Sequence, residues 1–81
     1  MKEEINLSPI DKSIINVLRK ENKPLTTYKI AKKSKISWSA VNLHCYKLKS
    51  QGVLDFKVYT SPYGQKKVVW ELEERKLERF T

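Results

Sequence analysis

Residues 54–72 read LDFKVYTSPYGQKKVVWEL, and this stretch decides the architecture. Leu54, Phe56 and Val58 alternate with Asp55, Lys57 and Tyr59. Beyond Ser61, Pro62, Tyr63, Gly64 and Gln65, the residues Val68, Trp70 and Leu72 alternate with Lys67, Val69 and Glu71. Two runs of period two separated by turn-forming residues predict a β-hairpin. Pairing Thr60 with Lys66 sets Val58 opposite Val68, Phe56 opposite Trp70 and Leu54 opposite Leu72, so that all six apolar groups share one face. A slip of one residue would turn half of them to water, and the register is therefore strongly specified. The same register opposes Asp55 to Glu71, a like-charge pair with no evident answer in the sequence.

Upstream of the hairpin the spacing changes to that of helices. A first helix is predicted over residues 8–21. Ser8 can cap it, Pro9 suits its first position and Asp11 favours its positive end. Ile10, Ile14, Val17 and Leu18 form its apolar stripe, with Ile15 at the edge. Pro24 ends it, because the residue before a proline avoids helical geometry. Lys23-Pro24-Leu25 is an extended link that allows a short third strand near 23–25. A second helix is predicted over 27–34, capped by Thr26, with Ile30 and Ala31 inward and Lys29, Lys32 and Lys33 outward. Ser34-Lys35-Ile36 makes a tight turn without glycine. A third helix is predicted over 38–51, capped by Ser37, with Val41, Cys45 and Leu48 as its buried stripe and Gly52 as its stop. Residues 73–80 are compatible with a further short helix carrying Leu77 and Phe80 on one side.

The charge is unevenly spread. Of 17 basic and 9 acidic residues, the segment 23–67 holds ten lysines and one acid, Asp55, whereas both flanks are nearly neutral. Such a block points to a polyanionic partner rather than to general solubility. Eighty-one residues amount to one domain, taken here as 1–81 with a core over 8–72. No run approaches the ~20 apolar residues of a membrane span. Nor does Met1-Lys2-Glu3-Glu4 open a signal peptide, so a cytoplasmic, nucleoid-associated protein is expected. Cys45 is the only cysteine and His44 the only histidine, too few for a zinc finger. No phosphate-cradling glycine loop, carboxylate pair or hydrolase motif is present, and no enzyme, metal, cofactor or small-molecule ligand is expected.

Helix, link, helix, turn, helix and hairpin, in this order, resemble the winged helix-turn-helix family of DNA-binding regulators, an α+β fold of three helices and a two-stranded wing. The resemblance covers roughly residues 8–72. It rests on Ile30-Ala31, the turn, Ser37, Val41 two residues after Ser39, His44 before an apolar residue, Leu48, and Gly52 entering the wing. Two departures stand out, Lys35 where the family usually has glycine and Cys45 where it usually has leucine. Cysteine is apolar enough for a core but smaller, so looser packing is expected there.

The resemblance implies that helix 38–51 enters the major groove of double-stranded DNA, where each base pair shows a distinct pattern of donors, acceptors and methyls. Trp38, Ser39, Asn42, Leu43 and Tyr46 are the implied base-facing residues. Asn42 can pair two ways with adenine, and Leu43 can touch a thymine methyl. Trp38 either faces DNA or folds back onto Ile36. Tyr28 and Tyr46 are either phosphate donors or half-buried amphipaths. Thr26, Tyr28, Lys29, Lys32, Lys33, Lys35, Ser37, Lys47 and Lys49 are the implied phosphate contacts. Tyr63, Gln65, Lys66 and Lys67 mark the wing near 61–67, on the backbone or minor groove. Lysine meets phosphate as a point charge, which favours affinity over discrimination.

A transcription regulator is the function so implied. Two alternatives stay open, a protein–protein module or subunit of a transcription or replication assembly, and a nonspecific nucleic-acid or chromatin binder. A homodimer is expected, since one helix reads few base pairs. Ile5, Leu7, Ile15, Leu77 and Phe80 are the candidate contact residues. His44 beside Cys45 reads as a helix-edge histidine and a core thiol rather than as a metal or nucleophile site.

Overall fold

A computed structural model describes residues 6–73. Helix α1 spans Pro9–Glu21, strand β1 Leu25–Thr26, helix α2 Thr27–Ser34, helix α3 Trp38–Ser50, strand β2 Leu54–Thr60 and strand β3 Lys66–Leu72. The order and class are those read from the sequence. The predicted third helix ends one residue earlier than expected, at Ser50, and the candidate contacts Ile5, Leu77 and Phe80, with the helix proposed around them, lie outside the described residues.

Each helix begins on a side-chain oxygen. Ser8 Oγ accepts from the Asp11 amide at 3.1 Å while the Ser8 amide donates to Asp11 Oδ2 at 2.9 Å, a reciprocal capping box. Thr26 Oγ1 accepts from the Lys29 amide at 3.1 Å and Ser37 Oγ from the Ala40 amide at 3.3 Å. Helix α3 ends in a Schellman motif: Gly52 takes φ 79°, the Val53 amide donates to Leu48 O at 2.9 Å, and the Gly52 amide donates to Lys49 O at 3.0 Å. Val53 is then driven into the core, and the chain enters β2 in register.

The hairpin pairs as predicted at every position from Thr60↔Lys66 to Leu54↔Leu72. The extended link becomes β1 one residue later than expected. Leu25 pairs with Trp70 and Thr26 with Val69, giving an antiparallel sheet in the order β1-β3-β2. Pro24 has no N–H to give a ladder, and Thr26 already caps α2, so only two residues are free to pair. The Asp55–Glu71 conflict is relieved by Lys57, whose Nζ lies 3.2 Å from Glu71 Oε2, and Asp55 accepts from the Phe56 amide at 2.9 Å.

Ile14, Leu18, Leu25, Ile30, Val41, Cys45, Leu48, Val53, Leu54 and Trp70 form one buried cluster beneath the three helices. Four expectations need correction. Ile15 is buried in this core rather than at its edge, so it is not available to a partner, and Leu7 is half-buried against the same cluster. The centre of the α1 stripe is Asp11, Ile14, Ile15 and Leu18, one step round from the predicted stripe. Of the six hairpin apolar groups, Val58 remains 54% exposed, because the wing runs out past the helices that cover Leu54 and Trp70. Val69, read as outward, is 7% exposed, since Thr26 and Lys57 flank it on that face of the central strand.

The glycine-free turn has a measurable consequence. Lys35 adopts φ 61°, ψ 35°, and its amide closes α2 on Ala31 O. A left-handed residue with a Cβ costs roughly 1–2 kcal/mol. Replacing Lys35 with glycine is expected to raise the unfolding free energy in urea by about 0.5–1 kcal/mol. No gain on that substitution would show that the turn is unstrained.

Candidate nucleic-acid interface

Helix α3 turns Val41, Cys45 and Leu48 into the core, and its outer side carries the residues predicted to meet bases. Trp38, Ser39, Leu43 and Tyr46 are exposed and Asn42 is half-buried. Trp38 does not fold away: it lines a groove of about 590 Å³ together with Asn42 and Tyr46 of α3, Thr26, Tyr28 and Lys29 from the start of α2, and Lys67 of β3. Residues read separately as base-facing, phosphate-facing and wing contacts therefore meet at one place. Ser39 and Leu43 lie on the neighbouring outer surface of α3, and Lys32, Lys33, Lys35 and Ser37 on and beside the turn. Tyr63, 92% exposed, lies with Gln65 and Lys66 at the wing tip. There Ser61 Oγ accepts from the Tyr63 and Gln65 amides at 3.2 and 3.1 Å, and Gly64 takes φ 84°.

The groove is held from behind by aromatic packing. Trp70 is fully buried and donates its indole N–H to Thr27 Oγ1 at 2.8 Å. Its ring stacks on Phe56 with centroids 5.5 Å apart, and Tyr46 meets it at right angles at 5.0 Å. Both geometries are favourable for aromatic quadrupoles. The orientation of Tyr46 is thus set by the core.

The lysines divide into two groups. Lys33 pairs with Glu21 at 3.4 Å, Lys47 with Asp11 at 2.7 Å, and Lys49 sits over the Phe56 ring at 5.0 Å. Lys29, Lys32, Lys35, Lys66 and Lys67 have no ion pair among the described residues. These five carry uncompensated charge, as do Lys12, Lys20 and Lys23 among the described residues.

Asp11 was read only as a favourable residue at a helix start, and its larger role was missed. It is fully buried, and α3 closes over it: Lys47 Nζ donates to Oδ2 and His44 Nδ1 bonds Oδ1, each at 2.7 Å. An ionised carboxylate only accepts, so His44 carries its proton on Nδ1. The signal was present, because Asp11 lies three residues before Ile14 and seven before Leu18, on the apolar stripe itself. Burial acts most strongly and opposes ionisation. Lys47, the Ser8 amide and His44 together outweigh it, and the carboxyl is lowered to about 2. Burial, with the Asp11 charge, pushes the Cys45 thiol up to about 12, leaving it protonated and unreactive.

A family model described as winged helix-turn-helix DNA-binding matches residues 7–55. The chain belongs to this winged helix-turn-helix family. No curated protein matches it. Among solved structures, this winged helix is similar to ZitR of Lactococcus lactis, a zinc-responsive MarR family member, at 25% identity and TM-score 0.74, over 95% of this chain and 51% of that one. ZitR has also been solved in complex with DNA. The chain spans about half the length of ZitR. It is similar to the Zalpha domain of zebrafish PKZ at 30% identity and TM-score 0.67, over 78% of this chain and 89% of that domain. A possible transcriptional regulator from Methanosarcina mazei shares the fold, with TM-score 0.77 and 19% identity over 91% of this chain and 62% of that one. Among the described residues, no group of three or more His, Cys, Asp or Glu side chains is placed to hold a metal, and no helix is long and apolar enough to cross a membrane.

The Asp11 cluster links stability to pH. The folded carboxyl titrates near 2 against an ordinary 3.8. Its contribution is therefore complete above the unfolded value and drains away as the pH falls toward the folded one. The wild-type advantage over Asp11→Asn in urea unfolding should be about 2 kcal/mol near neutrality and shrink toward zero at about pH 2. A gap that does not change with pH would mean that the buried carboxylate is not held ionised.

Proposed function

We propose that this winged helix is a transcription regulator that lays α3 in the major groove of double-stranded DNA and sets the wing on the backbone or minor groove. One observation carries the reading: Lys29, Lys32, Lys35, Lys66 and Lys67 lack acidic partners among the described residues and flank the open side of α3. ZitR, solved on DNA, adds support from the same fold. Tyr63 and Gln65 accompany Lys66 and Lys67 on the wing. Thr26, Tyr28 and Ser37 contribute hydroxyls and helix starts to phosphates. Trp38, Ser39, Asn42, Leu43 and Tyr46 meet the bases. Lys33, Lys47 and Lys49 are secondary contacts, since each already has an intramolecular partner.

Helix α3 contains no arginine, so the bidentate guanine contact is missing from it. Discrimination is then modest and leans toward A·T through Asn42. A homodimer doubles the site read, and the two-fold contact falls on the terminal segments. On this reading the protein works in the cytoplasm, associated with the nucleoid.

Fluorescence anisotropy of a labelled duplex across a salt series tests the proposal. Neutralising five phosphates predicts a log–log slope of about −4 to −5. Binding that ignores salt, or no binding to any duplex at moderate salt, would overturn it.

A further inference from the structure

The base-facing surface is unusually aromatic for a reader of groove edges. Three of the exposed large apolar side chains, Tyr28 at 64%, Trp38 at 54% and Tyr46 at 48%, border the single groove between α2, α3 and β3. Leaving such rings in water forgoes burial worth roughly 1.5–3 kcal/mol for a large apolar side chain. Only Tyr46 of the three has a ring partner among the described residues. In a regular duplex the major groove offers base edges, whereas an aromatic ring binds best to a base face, which stacking hides. Lys29 and Lys67 line the same groove without acidic partners among the described residues, so both ammonium groups are open to backbone phosphates. Asn42, also lining it, offers an amide to a base edge.

We infer that this groove receives a nucleobase displaced from the helical stack, so that the preferred ligand is DNA carrying an unpaired or bulged nucleotide. The inference rests on the reading that the α3 face meets DNA, and it names the form of DNA that the face takes. The flanking lysines hold the backbone, the rings cover the base, and Tyr46 needs no reorganisation because Trp70 already fixes it at 88°. A site preorganised in this way loses little entropy on binding.

The test compares three end-labelled DNAs of equal length at one salt concentration: a fully paired duplex, the same duplex with one unpaired central 2-aminopurine, and a single strand. Full-length protein is expected to bind the bulged duplex at least about fivefold more tightly than the paired one, the lower end of what one base–aromatic stack supplies. The 2-aminopurine fluorescence should fall on binding as that base is covered. In Trp38→Ala the ratio of bulged to paired affinity should drop toward one. Tyr28→Ala repeats the test from the other wall, should the first variant fold poorly. Equal affinity for paired and bulged DNA with unchanged 2-aminopurine fluorescence would overturn the inference and leave the duplex reading standing. So would a preference that survives both substitutions. Failure to bind any of the three DNAs would remove both.

Discussion

The indole of Trp70 is the contact on which the remainder of the molecule is assembled. Its backbone pairs with Leu25 on one side and Phe56 on the other, so it joins all three strands. Its ring is stacked on Phe56 and crossed by Tyr46, which brings α3 against the sheet. Its N–H reaches the Thr27 hydroxyl, which fixes the first turn of α2. Satisfying that N–H matters, because a buried donor without a partner costs about 1–3 kcal/mol. Without this residue the sheet would meet the helices only through smaller buried side chains such as Leu25, Val53 and Leu54. With it they present one continuous surface.

Asp11 performs the corresponding task on the opposite side of α3. A charge taken out of water is expensive, and this one is retained because Ser8, His44 and Lys47 surround it with donors. Two of those donors are on α3, one turn apart, so the helix cannot rotate or slide without breaking a short bond to a buried charge. An apolar residue at this position would leave that rotation to nondirectional packing. The carboxylate thus helps set the direction in which Trp38 and Asn42 point, although it bonds to neither.

Much of this was legible from local chemistry. The register of the hairpin follows from period-two alternation, and the helix starts follow from Ser8, Thr26 and Ser37, whose oxygens cap within three residues. What escaped were relations across long stretches of chain. Asp11 meets His44 and Lys47 at separations of 33 and 36 residues, which no periodicity reports. Lys47 consequently looked like a free phosphate contact. Ile15 looked peripheral because the stripe of α1 was drawn through Ile10, Ile14, Val17 and Leu18, without Asp11. Val58 looked buried because alternation tells which face a side chain takes, but not how far the covering helices extend. Of the candidate interface, residue types and elements were readable. That Tyr28, Trp38, Tyr46 and Lys67 border one groove was not, since this depends on how α2, α3 and β3 converge.

The α3 and wing side is distinguished by open rings and unpaired lysines that border one groove, Tyr28, Trp38 and Tyr46 with Lys29 and Lys67. Mapping amide shifts of labelled protein during titration with a short duplex addresses it most directly. The changes should concentrate at 26–29, 37–46 and 61–68 and leave 9–21 nearly still. Shifts centred on α1, with α3 and the wing unmoved, would contradict it.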